Sequence, residues 1–191
     1  MSVFVSLHEK SLPFVMQTVD LVAQENHGIS FSAMSLTRRV PTFVHGKFCL
    51  SESSAISEYI NEVFDGTSLY PEEPKAKAMA RQVQAWLRSD FMPIRNERST
   101  EVIFYRPIAT SLSSAAKDSV KKLFAAAERL LPIGAENLFG QWSITDVDLA
   151  LMLNRLALNG DQIPERLANY AKHQWARPSV QLWVNMERPP L

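Results

Sequence analysis

At 191 residues, 46% of them hydrophobic, the chain is long enough for one or two domains that each bury a core. Twenty basic and twenty acidic residues cancel, so nothing in the charge points to nucleic acid or a membrane surface as a partner. A single cysteine, Cys49, excludes an internal disulfide framework and predicts a reducing, cytoplasmic setting. No apolar run reaches the roughly 18 residues of a membrane span, and no basic-then-apolar leader opens the chain.

In chain order, the first segment is HEKSLPFVMQTVDL (8–21), of which residues 14–21 are β-like. The seven residues before it suffice to finish one helix. A competing reading takes residues 2–7, SVFVSL, as a first strand, because they are β-branched and alternating. The stretch VPTFVHGKFCLSESSAI (40–56) is the most informative. Pro41 has a fixed φ and no N–H, so it belongs at the first residue of a strand. Residues 42–44 and 47–50 read as strands flanking a His45-Gly46 turn. Ser53 falls where a helix N-cap is expected, and Ile56, Ile60 and Val63 follow at helical spacing. A helix N-terminus with a hydroxyl beside it is a natural seat for a carboxylate. Val40, Glu52 and Ser53 would thus bring a backbone edge, a carboxylate and a hydroxyl around one small pocket, suited to a short zwitterionic peptide. Taken singly, Ser53 reads as a plain cap and Glu52 as a solvated first-turn acid.

Residues 65–74, DGTSLYPEEP, are rich in turn formers and predict a linker between a domain at 1–68 and one at 74–191. A helical stripe follows from 74 to 98 through Met79, Val83, Trp86, Leu87, Phe91 and Ile94, with a bend expected at Pro93. Further helices are predicted at 112–131, 144–159, 164–176 and 178–186. The helix at 144–159 is the best specified: Ser143 as N-cap, Asp146 in capping-box position, Trp142 and Val147 as a staple, and Gly160 as a left-handed stop. It is apolar nearly all round, which places it at the centre of the second domain. Cys49 reads as a small strand hydrophobe rather than a reactive thiol, and His45 as a turn residue before Gly46. The four histidines and one cysteine show no metal-ligand spacing, so no metal is expected.

Val-Pro, a hairpin and Glu-Ser-x-Ala-Ile together resemble the glutathione-binding half of a glutathione S-transferase. Ser143-x-x-Asp146 resembles the capping element of that family's buried sixth helix. Residues 84–98 and 164–183 are similar to one bacterial branch, the YfcF-type glutathione transferases. The resemblance implies an α/β plus all-α architecture, a thioredoxin-like domain followed by an all-helical one. It also implies glutathione as co-substrate, a small electrophile or peroxide as second substrate, and a homodimer. A cis Val40-Pro41 bond is implied, exposing the Val40 backbone to pair with the peptide. Ser53 would hold the γ-glutamyl carboxylate, Glu52 the α-amino group, and Arg39 the glycine carboxylate, though Arg38 could take that last role. Trp86, Asp90, Pro93 and Arg95 are candidates for the acceptor-substrate cleft, with Trp86 equally well explained as core.

The departure from the family pattern lies at the front. Family members carry a strand and a turn before the segment at 8–21, and that turn bears the serine, tyrosine or cysteine that activates the thiol. The expectation is therefore a thioredoxin-like domain lacking its first strand, with the catalytic residue unassigned. Glutathione's thiol has a pKa near 8.5, and no residue here matches by motif the donor that must lower it. Alternative readings are a non-enzymatic binding protein on the same fold, or a glutathione-dependent reductase of dehydroascorbate or disulfides.

Overall fold

The structure is a computed structural model that describes residues 1–190. The chain folds as two compact units, Met1–Leu69 and Tyr70–Leu191. The change of unit falls between two buried residues, each tied to its own unit. The Leu69 amide donates to Asn61 Oδ1 at 2.8 Å, and the Tyr70 hydroxyl donates to Gln84 Oε1 at 2.9 Å.

The first unit opens with helix α1 (Ser2–Glu9) and continues through a 3-10 turn (Glu25–His27) and a short helix, α2 (Ile29–Met34). Strands β1 (Thr42–His45) and β2 (Phe48–Ser51) then form an antiparallel hairpin, and helix α3 (Ser53–Val63) follows. Residues 2–7 are helical, not a strand, because their 3.6-residue spacing meets α3. Ser6 of α1 and Lys10, its C-cap, are four residues apart and so lie on one face. Ser6 Oγ donates to Ser57 Oγ at 3.0 Å. Lys10 Nζ donates to the carbonyls of Phe64 at 2.7 Å and Asn61 at 3.5 Å, where α3 ends. A cation there complements the negative end of the helix dipole, while burial pulls the ammonium pKa down. Val5, Ile56 and Ile60 are fully buried in the same unit.

The strand expected at 14–21 is absent. A strand needs a partner for its backbone groups, and the one sheet among the described residues is the β1–β2 hairpin. Asp20 instead turns the chain, its Oδ1 accepting from the Val22 and Ala23 amides at 2.8 and 2.9 Å. Helix α2, six residues long and without a side-chain cap, carries no local signal that marks it in advance.

The second unit is helical: α4 (Pro74–Ser89), α5 (Met92–Glu97), α6 (Thr100–Phe104), α7 (Ser114–Leu130), α8 (Ile144–Ala157), α9 (Glu165–Trp175) and α10 (Pro178–Val184). The helix expected over 74–98 is interrupted rather than bent, because Pro93 sits in the first turn of α5, where its missing N–H breaks no bond. Val83, Leu87, Phe91 and Ile94 still face the core, whereas Met79 is exposed.

Helix α8 occupies the centre, buried along nearly its whole length. Its start is a capping box in which Asp146 Oδ2 accepts from the Ser143 amide and hydroxyl at 2.8 and 2.9 Å. Asp146 Oδ1 accepts from the Leu138 amide at 2.8 Å and from the Tyr170 hydroxyl of α9 at 2.9 Å. Burial pushes the Asp146 carboxyl up, against the pull of those donors, and raises Tyr170 well above its usual value. Gly160, at φ +82°, carries the chain away after α8. Trp142 lies beneath the Arg177 guanidinium, 3.8 Å from its ring centre.

Asp146→Ala should lower the unfolding free energy by about 3 kcal/mol or more, since buried donors left unsatisfied cost roughly 1–3 kcal/mol each. Urea unfolding followed by circular dichroism measures this. A loss below 1 kcal/mol would show that water or a neighbour replaces the carboxylate.

Candidate functional site

The hairpin builds the site. Thr42 pairs with Ser51 and His45 with Phe48, so Gly46 and Lys47 form a two-residue turn. Gly46 has φ +62° at the first central position, the place a II′ turn reserves for glycine. The Thr42–Ser51 register has a direct consequence. Residues 40–41, just before β1, and residues 52–53, just after β2, leave the same end of the hairpin.

The Val40–Pro41 bond is cis. The loop leading to it is tied down through its carbonyls: Thr42 Oγ1 donates to the Arg39 carbonyl at 3.1 Å, and Asn26 Nδ2 to that of Arg38 at 2.9 Å. Val40 is 43% exposed, and its N–H and C=O have no backbone partner among the described residues. They stand open to an extended peptide, as in strand addition.

Glu52 and Ser53 exchange the positions expected of them. The Glu52 carbonyl accepts the first helical bond, from the Ile56 amide at 2.9 Å, so Glu52 is the N-cap and Ser53 the first helical residue. The reason is the backbone of Glu52, which has φ +74° and ψ +112°. A side chain in that region costs of order 1–3 kcal/mol and persists only where the surroundings impose it. Here the conformation turns the chain from the last residue of β2 directly into α3. The exposed Glu52 carboxylate and the half-buried Ser53 side chain thereby meet at the positive end of an 11-residue helix.

Arg39 is exposed in the loop before the cis bond. His45 is more than a turn residue. Its Nδ1 lies 2.9 Å from the Tyr59 hydroxyl, within an aromatic group that includes Phe43, Phe48 and Phe64. Aromatic residues at 43, 45, 48, 59 and 64 were the available signal, visible only once the hairpin and α3 are placed side by side. Cys49 is half-buried on β2. A depression of about 330 Å³ in this unit lies between Val19, Glu25 and α2, away from Glu52 and Ser53. No group of three or more metal-ligating side chains exists among the described residues.

In the helical unit, Trp86 is structural: its Nε1 donates to Asp90 Oδ2 at 2.7 Å and its ring meets Phe91 edge-on. Asp90 is also bonded by Lys122, and these two donors hold its carboxyl below the usual range. Arg95 is half-buried and donates to the Arg88 carbonyl at 3.1 Å.

The family model for the glutathione S-transferase N-terminal domain matches residues 1–62, and that for the C-terminal domain matches residues 73–188. Glutathione S-transferase 1 of Dianthus caryophyllus is 31% identical over 127 residues, 66% of this chain and 58% of that protein. Glutathione S-transferase F14 of Arabidopsis thaliana is 28% identical over 188 residues, 93% of this chain and 70% of that protein. Several other curated relatives are matched over 35–46% of their length. Among solved structures, a glutathione transferase homolog from Burkholderia gl BGR1, with bound glutathione, is 44% identical. It superposes with a TM-score of 0.77 over 96% of this chain and 88% of its own. A theta class glutathione S-transferase from Xanthomonas axonopodis pv. citri shares the fold at 20% identity, with a TM-score of 0.78 over 97% of this chain and 91% of its own.

Glu52→Gly should raise the stability of the chain by about 1 kcal/mol, because glycine removes the steric penalty at φ +74° at some cost in chain entropy. The urea midpoint of the variant against the parent reads this out. A fall in the midpoint would mean that the Glu52 side chain contributes more to the fold than its backbone strain removes.

Proposed function

The chain belongs to the glutathione S-transferase superfamily, and from that premise we propose that its first unit binds glutathione and presents the thiolate to an electrophile or a peroxide. The first unit is a thioredoxin-like domain with a two-stranded sheet, and the second is the helical domain of this family. The observation that carries the proposal is the shared end of the hairpin, where the cis Val40–Pro41 bond and the Glu52-Ser53 helix start emerge together.

Each residue has a role set by its chemistry. The Val40 N–H and C=O pair with the cysteinyl backbone of glutathione. The first-turn amides of α3 and the Ser53 hydroxyl receive the γ-glutamyl carboxylate, in a geometry that favours anions. The Glu52 carboxylate accepts from the α-amino group. Arg39, exposed on the loop, reaches for the glycine carboxylate. In this reading residues 1–68 serve as the glutathione-binding domain and residues 74–191 shape the site for the second substrate. The Burkholderia homolog, at 44% identity and with glutathione bound, supports the ligand assignment. The balanced charge and single cysteine support a cytoplasmic protein, and the family supports a homodimer.

Millimolar glutathione should raise the thermal midpoint of the chain, because a ligand that binds only the native state adds about 2.7 kcal/mol at a hundred times its Kd. An unmoved midpoint would overturn the proposal. Ser53→Ala should weaken glutathione binding about ten-fold or more while changing stability little, because the residue is the first of the helix rather than its cap. Calorimetric titration of both forms decides this; equal affinities would limit Ser53 to a structural role.

A further inference from the structure

One cavity lies apart from the residues assigned above. It opens in the helical unit, with a volume of about 460 Å³, between the loop at 131–136 and one face of α9. On that face Glu165, Asn169 and His173 follow at four-residue intervals and so form a row. At 1.5 Å per residue the row is about 12 Å long, with Asn169 at its middle. Glu165 begins it, in the first turn of α9. At the other end the loop meets the helix, where His173 Nε2 lies 3.9 Å from Glu136 Oε2. The cavity thus carries a carboxylate towards each end and an amide between them. Leu131 and Tyr170 also line it, both buried, and the Tyr170 hydroxyl is held by Asp146. What these two add to the lining is apolar surface.

The walls are fixed by bonds of the protein itself. Gln174 Nε2 donates to the Glu136 carbonyl at 2.7 Å and to Asn137 Oδ1 at 3.0 Å, which ties the loop to α9. Arg166 donates to the Leu131 carbonyl at 3.1 Å and to that of Glu128 at 2.7 Å. Those carbonyls stand at the C-terminal end of α7, where the helix dipole is negative. The Arg166 charge is therefore turned towards the end of α7, and the two carboxylates give the row its sign.

We propose that this row binds a linear aliphatic polyamine. Its terminal ammoniums meet Glu165 and Glu136, its inner nitrogen meets the Asn169 side-chain carbonyl, and its methylenes lie on Leu131 and Tyr170. An ammonium only donates, so carboxylate and amide oxygens are the partners it needs. A chain of amines separated by methylenes also matches the alternation of polar groups and apolar surface along the cavity. A single metal ion fits less well, because carboxylates set towards the ends of a row about 12 Å long cannot share it. No group of three ligating side chains forms there among the described residues. The subsite lies wholly within the helical unit and does not depend on the glutathione reading.

Calorimetric titration of the full chain with spermidine, without glutathione, tests the proposal in a mildly alkaline buffer of constant ionic strength. The expected result is saturable binding at a single site, about five-fold tighter than that of putrescine, which is too short to reach both carboxylates. Glu136→Gln and Glu165→Gln should each weaken spermidine about five-fold, the most that one exposed ion pair contributes. Glu72→Gln, which removes an acid outside the cavity, should leave the affinity unchanged. Both cavity positions are exposed, so the variants should unfold at the midpoint of the parent. Should one of them fold poorly, the other decides. Equal spermidine affinity in the parent and the two cavity variants would overturn the proposal, as would an equal loss in Glu72→Gln or the absence of saturable binding. Putrescine binding as tightly as spermidine would overturn the two-ended fit, and with it the assignment to a long polyamine.

Discussion

The helical unit depends on one carboxylate without solvent, that of Asp146. Its two oxygens collect the Ser143 amide and hydroxyl, the Leu138 amide and the Tyr170 hydroxyl. Four donors offset the desolvation of one carboxyl, and each fixes a different piece of chain. Ser143 sets the start of α8, Leu138 anchors the loop before it, and Tyr170 locks α9 alongside. Leu149, Leu153 and Leu156 of α8 then bury fully in the core against residues of α4, α7 and α9. Hydrophobic burial supplies most of the stabilisation here, but it has no direction. The Asp146 cluster supplies the direction, since a slipped or rotated α8 would strand a carboxyl and several donors in an apolar interior.

The first unit solves a different problem with fewer resources. Its sheet is a two-stranded hairpin, too small to be stable without packing against a helix. Helix α3 provides that packing, and α1 grips α3 in turn through Ser57 and the carbonyls at its end. Such a short hairpin can still place its flanking residues accurately. The Thr42–Ser51 pair fixes where residues 40–41 and 52–53 emerge, and the cis bond and the positive φ of Glu52 fix the directions they take.

Much of this was legible in the sequence, and the reasons differ from element to element. Pro41, the Gly46 turn and the Ile56–Ile60 spacing are local signals, so the hairpin and α3 appear where those signals placed them. Ser143 and Asp146 are local too, and α8 begins at them; it ends at Ala157, with the left-handed Gly160 just beyond its C-cap Leu158. The failures were non-local. Residues 14–21 have strand chemistry, yet a strand exists only where another stands beside it. Ser53 has the chemistry of a cap, yet the backbone of Glu52 took the cap position. The His45–Tyr59 contact and the Asp148–Gln84 bond join residues 14 and 64 positions apart. No pattern of spacing announces either.

Glu52 carries a local cost, backbone strain that the surrounding structure maintains. Elsewhere in the same unit polar groups pair without such strain, as in the Ser6–Ser57 bond. Folding alone would favour a glycine at this position. The strain sits where β2 turns into α3, and the hairpin and helix that impose it also set the Glu52 carboxylate at the positive end of that helix.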